Sequence, residues 1–317
     1  MGIPTLNKFL QSTCQSSDAI QCISLKNLKG KKIAIDTSIY LYRYESNGNL
    51  VEQFYCLLIT LFKYKITPIF VFDGKIPIDT KEILLQRKSE KIESIKRFNE
   101  IQELINSGQS TEKLQIELKQ IKKKVVTMNS KKINEIKLLL TYFGVCFIDA
   151  PQEADILCVQ LVKENKVFAC LSEDMDMFAY GCPRILRYIS LINQTIVLYD
   201  LEKILLHLGI NEIELLELCI VCGTDYNISQ INAQKKFSYW YDKMKNYKLQ
   251  LQNTDSSFYQ WLIEDGEQID INKINSIRNI FNHCLDLEDL LPSDIKNGII
   301  MDNELKSLLS KNGFIFE

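Results

Sequence analysis

The stretch KVFACLSEDMD, from Lys166 to Asp176, is a short apolar run that stops abruptly in three acidic residues. An uninterrupted run of this length, rich in buried-type residues, is the mark of a strand covered on both faces. Four more such runs surround it: KKIAID (Lys31–Asp36), TPIFVFDG (Thr67–Gly74), GVCFIDA (Gly144–Ala150) and the shorter PRILRYI (Pro183–Ile189). Between them lie helical patterns: TSIYLYRY, then VEQFYCLLITLFKYK after Asn47-Gly48, and EADILCVQLVKEN after Pro151. Continuous hydrophobic strands alternating with helices predict an α/β fold, a mostly parallel twisted sheet with helices on both faces.

One stretch departs from this alternation. Thr80 to Lys137 is polar, free of Pro and favourable to helix, with Gly108 and its polar neighbours as the turn signal. A βα connection is normally short, so 58 residues amount to an insertion of two helices. The insertion holds 14 Lys or Arg and 8 Asp or Glu, a local charge of +6. The whole chain carries −2, which leaves −8 for the rest. Charge alone allows either a solvated helical hairpin or a basic arch over a polyanion. After Gly223 the pattern is mainly helical and carries no catalytic motif.

The remaining composition is that of a globular protein, at 46% hydrophobic and 25% charged residues over 317 positions. No apolar run is long enough for a membrane span, no secretory signal opens the chain, and Leu6 stands where myristoylation wants Ser or Thr. Ten scattered cysteines, Cys56, Cys158, Cys170 and Cys219 among them, predict reduced and mostly buried thiols in an intracellular protein, nuclear or cytoplasmic. Cys219-x-x-Cys222 lies inside a helical run and reads as core. Only two histidines occur, so any chemistry falls to carboxylates.

Those carboxylates stand where strands end. Asp36, Asp73 and Asp174 close or follow three strands, with Asp176 two residues on. Glu153 and Asp155 open the helix after the third strand, and Asp225 follows an apolar helix at CGTDY. In an open parallel sheet the C-terminal strand ends share one edge, where ligands bind. Gathered carboxylates repel one another, and hard divalent cations with oxygen ligands, Mg²⁺ or Mn²⁺, relieve that repulsion. Two such ions about 3.5–4 Å apart activate water and stabilise a leaving oxygen in phosphodiester hydrolysis.

MGI at the start, AIDTS, PIFVFDG, DAPQEAD, SEDMDMFAYG and CGTDY, in this order and spacing over about residues 1–230, resemble the flap endonuclease/XPG family of structure-specific 5′ nucleases. The resemblance implies a PIN-like 5′-nuclease fold, with a nuclease core over residues 1–225 and a helical arch, or gateway, at about 80–137. Residues 226–317 would form a helical C-terminal region. It implies a first Mg²⁺ on Asp36, Asp73, Glu153 and Asp155, and a second on Asp174, Asp176 and Asp225, with Asp155 shared and Mn²⁺ able to substitute. Arg87 matches the gateway arginine that steadies the scissile phosphate. The family's partner lysine lies seven residues earlier, where this chain has Thr80. Lys81 is rotated about 120° from Arg87 on a helix, whereas Lys91 shares its face. Gly2, Tyr42, Lys88, Lys235 and Lys236 complete the implied nucleic-acid contacts, Tyr42 by stacking on a base unless it is buried. Asp155, where flap endonucleases have Glu, and Gly181-Cys182 resemble the exonuclease branch.

Two departures from the family pattern stand out. Only about eight residues separate Tyr42 from the next helix, where flap endonucleases carry a longer wedge. The helix-two-turn-helix is degenerate, with Gln230 and Asn232 in place of glycines and Gln234 in place of a lysine. The expected activity is Mg²⁺-dependent cleavage of DNA at 5′ flaps or 5′ ends by a monomer. The alternatives are a 5′→3′ exonuclease on duplex DNA or RNA and a catalytically silent nucleic-acid-binding paralogue. A phosphatase using Asp174-Met-Asp176 would leave Asp73, Glu153 and Asp225 without a role. The C-terminal LKSLLSKNGFIFE lacks the Gln and paired aromatics of a sliding-clamp peptide.

Overall fold

The computed structural model describes the chain except residues 1, 16, 75–80, 109–110, 228–234, 251–255, 283–297 and 316–317. Side chains of 81–88, 90–91, 119–120 and 123–124 also lie outside what is described. The chain opens with α1 (Leu6–Thr13), β1 (Ile20–Ser24), β2 (Lys32–Asp36), α2 (Thr37–Asn47), α3 (Leu50–Lys63) and β3 (Thr67–Phe72). Three helices follow, α4 (Lys81–Asn106), α5 (Glu112–Val125) and α6 (Ser130–Tyr142), then β4 (Cys146–Asp149), α7 (Ala154–Lys163) and β5 (Ala169–Leu171). After the short α8 (Asp176–Ala179) come β6 (Arg184–Ser190), β7 (Thr195–Asp200), α9 (Leu201–Leu208) and α10 (Glu212–Cys222). The rest is helical: α11 (Phe237–Gln250), α12 (Phe258–Glu264), α13 (Ile271–Phe281) and α14 (Asp302–Lys311). The strands pair in a mixed, mostly parallel manner, so the α/β class holds.

Two compact units divide these elements: Met1–Ile35 with Tyr64–Ile66 and Asp155–Leu290, and Asp36–Lys63 with Thr67–Ala154 and Leu291–Glu317. In the first unit the strand order is β1-β7-β6-β5-β2. β2 and β6 flank β5 in parallel, with Ala34 opposite Cys170 and Leu171 opposite Leu186. Ile33, Ala34, Ile35, Ala169, Cys170 and Leu171 are all fully buried, which is why these runs are unbroken in hydrophobicity. β7 runs antiparallel to both β6 and β1. Neither β1 (IQCIS) nor β7 (TIVLYD) was expected from the sequence. Both have half-buried positions along their length, so they lack the continuous apolar signal.

The second unit pairs β3 with β4 in parallel, Phe72 opposite Asp149. α2 starts at Asp36, whose side chain accepts from Ser38 N, and stops at Gly48, where φ is 83°. Tyr40 and Phe54 are fully buried there, and Tyr44 meets Phe54 edge-on at 5.3 Å. α4 and α5 pack on each other, fastened by Arg97 to Glu117 at 2.8 Å, while Arg97 also pairs with Glu100 of its own helix at 3.2 Å. α14 packs on α6, with Met301 N donating to Tyr142 O at 2.8 Å. Of the described cysteines Cys14, Cys158, Cys170, Cys182, Cys219 and Cys222 are buried, but Cys56 and Cys22 are exposed. Cys56 corrects the expectation of a buried thiol. It lies on the outer face of α3, opposite the Phe54, Leu57, Leu58 and Leu61 stripe. No described helix is long and apolar enough to cross a membrane.

Candidate metal centre

In the first unit β5 runs out at Leu171 and hands the chain to a tight loop. Ser172 N still bonds Leu186 O at 3.2 Å, the last rung beside β6. Ser172 Oγ then accepts from Asp174 N at 3.1 Å, and Asp174 Oδ1 accepts from Asp176 N at 3.1 Å. These two short-range bonds turn both carboxylates to the same side of the loop before α8 begins. Asp174 and Asp176 are buried, at 8% and 5% exposure.

Gly2 backs onto this pair. A β-carbon at Gly2 would collide with Asp174 Oδ1, and would lie 2.7 Å from Asp176 Oδ1 and 2.8 Å from its amide nitrogen. Its φ of 76° is itself unsuited to a side chain. Burial pushes the Asp174 carboxyl above the usual range, and the nearby negative charge of Asp225 adds to the rise. Asp225 lies in the turn after α10, whose frame is Asn227. That buried amide accepts from Thr224 N at 2.6 Å and from Thr224 Oγ1 at 3.0 Å, and donates to Ile220 O at 2.8 Å. Asp155 lies in the first turn of α7, half-buried.

The second unit holds three of the predicted ligands. Asp36 is buried and accepts from Ser38 N at 3.2 Å, and Ser38 Oγ in turn donates to Asp73 Oδ2. Asp73, one residue past β3, also accepts from Ala154 N at 2.9 Å, which draws it beside the Glu153–Ala154 peptide. Gly74 is required there, because a β-carbon would run into Ala150 O, and its own N–H donates to Gln152 O at 2.7 Å. Among the described residues no group of three or more His, Cys, Asp or Glu is gathered tightly enough to hold a metal ion as it stands. The donor set nevertheless fits a hard cation: it is all carboxylate, and His207, the one described histidine, is bonded to Thr13 O.

The implied nucleic-acid contacts fare unevenly. Tyr42 is 48% exposed while Tyr40 and Tyr44 are buried, so the reading of Tyr42 as a core residue is overturned. Lys81, Arg87, Lys88 and Lys91 fall within α4, but their side chains lie outside the described residues, as do Thr80, Gln230, Asn232 and Gln234. Lys235 is engaged: its ammonium donates to Glu267 Oε2 at 2.5 Å and sits 4.6 Å over the Tyr239 ring. Lys236 is exposed. Ser38, Asn227 and Arg187 escaped the sequence reading. Only Ser38 left a trace, as the residue two after a helix-capping Asp.

The model of the XPG N-terminal domain matches residues 1–94, and that of the XPG I-region matches residues 144–225. Flap endonuclease 1 of Drosophila yakuba is 31% identical over 283 residues, covering 82% of this chain and 69% of that protein. The chain spans 62% of the length of human flap endonuclease 1. Among solved structures, the catalytic core of Rad2 in complex with DNA substrate matches with a TM-score of 0.66 at 20% identity, covering 99% of this chain and 96% of that one. The Holliday junction-resolving enzyme GEN1 with product DNA and Mg²⁺ matches with a TM-score of 0.58 at 17% identity, covering 94% and 67%. The chain belongs to the flap endonuclease/XPG family of structure-specific nucleases.

Proposed function

We propose that this protein is a Mg²⁺-dependent 5′ nuclease that hydrolyses phosphodiester bonds of DNA at 5′ flaps or 5′ ends. Asp36, Asp73, Glu153 and Asp155 hold one ion; Asp174, Asp176 and Asp225 hold the other, with Asp155 shared. The observation that carries the reading is the buried Asp174–Asp176 pair backed by Gly2. Two like charges held side by side out of water are unfavourable by themselves, and a hard cation relieves them. The bound ions supply activation of a water and charge relief at the leaving oxygen. The chain's own contribution is to hold the carboxylates: Ser172 and Asn227 fix the loops of Asp174 and Asp225, and Ser38 fixes Asp73. Gly2 leaves room for a phosphate to approach the pair. The basic insertion around α4 and α5 draws in the 5′ strand through its net positive charge, and the family resemblance makes Arg87, with either Lys81 or Lys91, the candidate for steadying the scissile phosphate. Exposed Tyr42 offers a stacking face.

A second reading, a 5′→3′ exonuclease, is favoured by one feature: only Gly48 and Asn49 separate α2 from α3, which leaves no room for a junction-splitting wedge. A panel of 5′-labelled flap, blunt duplex, single-stranded DNA and RNA, with Mg²⁺ or EDTA, tests both. Flap incision that needs Mg²⁺ and falls at least about 100-fold in Asp174→Asn is the expected result. A mononucleotide ladder from blunt duplex without flap incision selects the exonuclease. Activity surviving both EDTA and Asp174→Asn rejects the metal assignment.

A further inference from the structure

Arg187, on β6, is 4% exposed and has no part in the metal reading above. Its guanidinium takes hold of the Asp174 loop on both sides of the aspartate. Nη2 donates to Glu173 O at 2.7 Å, Nε faces the Glu173 carboxylate at 3.7 Å, and Nη1 reaches Met175 Sδ. Nη1 also donates to Asn7 Oδ1 at 3.0 Å, and Asn7 in turn accepts from Tyr199 OH at 3.0 Å and donates to Tyr188 OH at 2.8 Å. The rings of Tyr188 and Tyr199 lie 5.0 Å and 5.6 Å from the guanidinium carbon. The backbone of β6 is bent to suit. Its register with β7 shifts between Arg187 and Ser190, and Tyr188 takes a φ of 54°. In that bend Tyr188 N donates to Glu173 Oε1 at 2.9 Å. A bulky aromatic residue holds such a conformation only where its surroundings over-determine it.

A buried ion pair is a weak source of stability, and apolar residues of similar volume commonly replace one without loss. A guanidinium does here what they cannot: one rigid plane ties down a carbonyl, a carboxylate and a sulfur that bracket a single residue. We propose that Arg187 is a positioning residue for the Asp174–Asp176 pair, fixing the direction in which the loop 172–176 presents its carboxylate oxygens to a divalent cation. The proposal rests on the metal reading above, and its test separates the two.

Four proteins are compared: wild type, Arg187→Met, Arg187→Lys and Asp174→Asn. Amide hydrogen exchange in EDTA, Mn²⁺ affinity by electron paramagnetic resonance, and kcat and KM on a 5′-flap substrate are measured on each. In Arg187→Met, residues 173–176 exchange at least about tenfold faster while β2 and β5 are unchanged. Its Mn²⁺ affinity and kcat both fall about 10–100-fold, the usual effect of removing an outer-shell partner, with KM within twofold of wild type. Arg187→Lys, which keeps the charge but not the fork, recovers part of each loss. A folded Arg187→Met with wild-type exchange and Mn²⁺ affinity overturns the proposal. If Arg187→Met does not fold, Glu173→Gln decides: an affinity loss of severalfold supports the proposal, and no loss overturns it. Failure of the metal reading appears elsewhere, as Mn²⁺ binding by wild type that Asp174→Asn leaves intact. In that event the exchange measurement alone decides whether Arg187 holds the loop.

Discussion

Asp174 is the residue at which function and stability pull apart. Burial, reinforced by the charge of Asp225, holds its carboxyl above the ordinary range. A raised folded value means the native state binds this proton more tightly than the unfolded chain does. The contribution to stability is therefore full below the ordinary carboxylate pKa of about 4 and is lost as pH rises through the folded value. Asp174→Asn, which removes the charge, should accordingly raise the melting temperature in EDTA at pH 7 by roughly 2–4 °C, about 1 kcal/mol for a chain of this size. The gain should vanish near pH 3.5, and a gain equal at both pH values would reject the argument. At Gly2 the constraint is steric instead. Gly2→Ala sets a methyl against both carboxylates, so it should raise the Mg²⁺ concentration needed for half-maximal cleavage about tenfold, and the collision together with the φ of 76° should lower the melting temperature as well. Wild-type metal dependence in this variant would place Gly2 away from the ions.

The elements that carry the candidate ligands are held by turns. The CGTDYN turn after α10 depends on Asn227, 2% exposed, whose amide satisfies Thr224 N–H and Ile220 O at once. Truncation leaves both groups buried without that partner, at about 1–3 kcal/mol. Asn227→Ala should therefore lower the melting temperature by roughly 2–8 °C in thermal denaturation followed by circular dichroism, whereas exposed Lys236→Ala should not. The same variant should weaken Mn²⁺ binding, because Asp225 rides on this turn. A stable Asn227→Ala protein with normal Mn²⁺ affinity would show that the turn holds itself.

For the whole molecule the relevant quantity is how charge is distributed, since the net value of −2 conceals a +6 insertion and a −8 remainder. Affinity for single-stranded DNA in EDTA should fall steeply with salt, with a slope of about −4 in log K against log salt if the six excess charges each meet a phosphate. Fluorescence anisotropy over about 50–200 mM KCl measures this. A flat dependence would make the insertion a solvated hairpin and leave the 5′ strand without its electrostatic guide. Lys235 should add little to that slope, because its ammonium is already spent on the buried carboxylate of Glu267.

The sequence by itself determined the α/β class and five of the seven described strands, and it singled out seven acidic positions as candidate ligands. Each of those signals is local: a fully buried strand must be apolar throughout, and the residue that ends it is read directly from the chain. The antiparallel strands β1 and β7 escaped because a strand half open to water carries polar residues and loses that contrast. What only the tertiary structure decided is which side chains brace the loop of Asp174. Arg187 reaches Glu173 across 14 residues of sequence, and Asn7 reaches Arg187 across 180. No spacing rule links such positions, because their meeting is set by strand pairing and by the bend in β6.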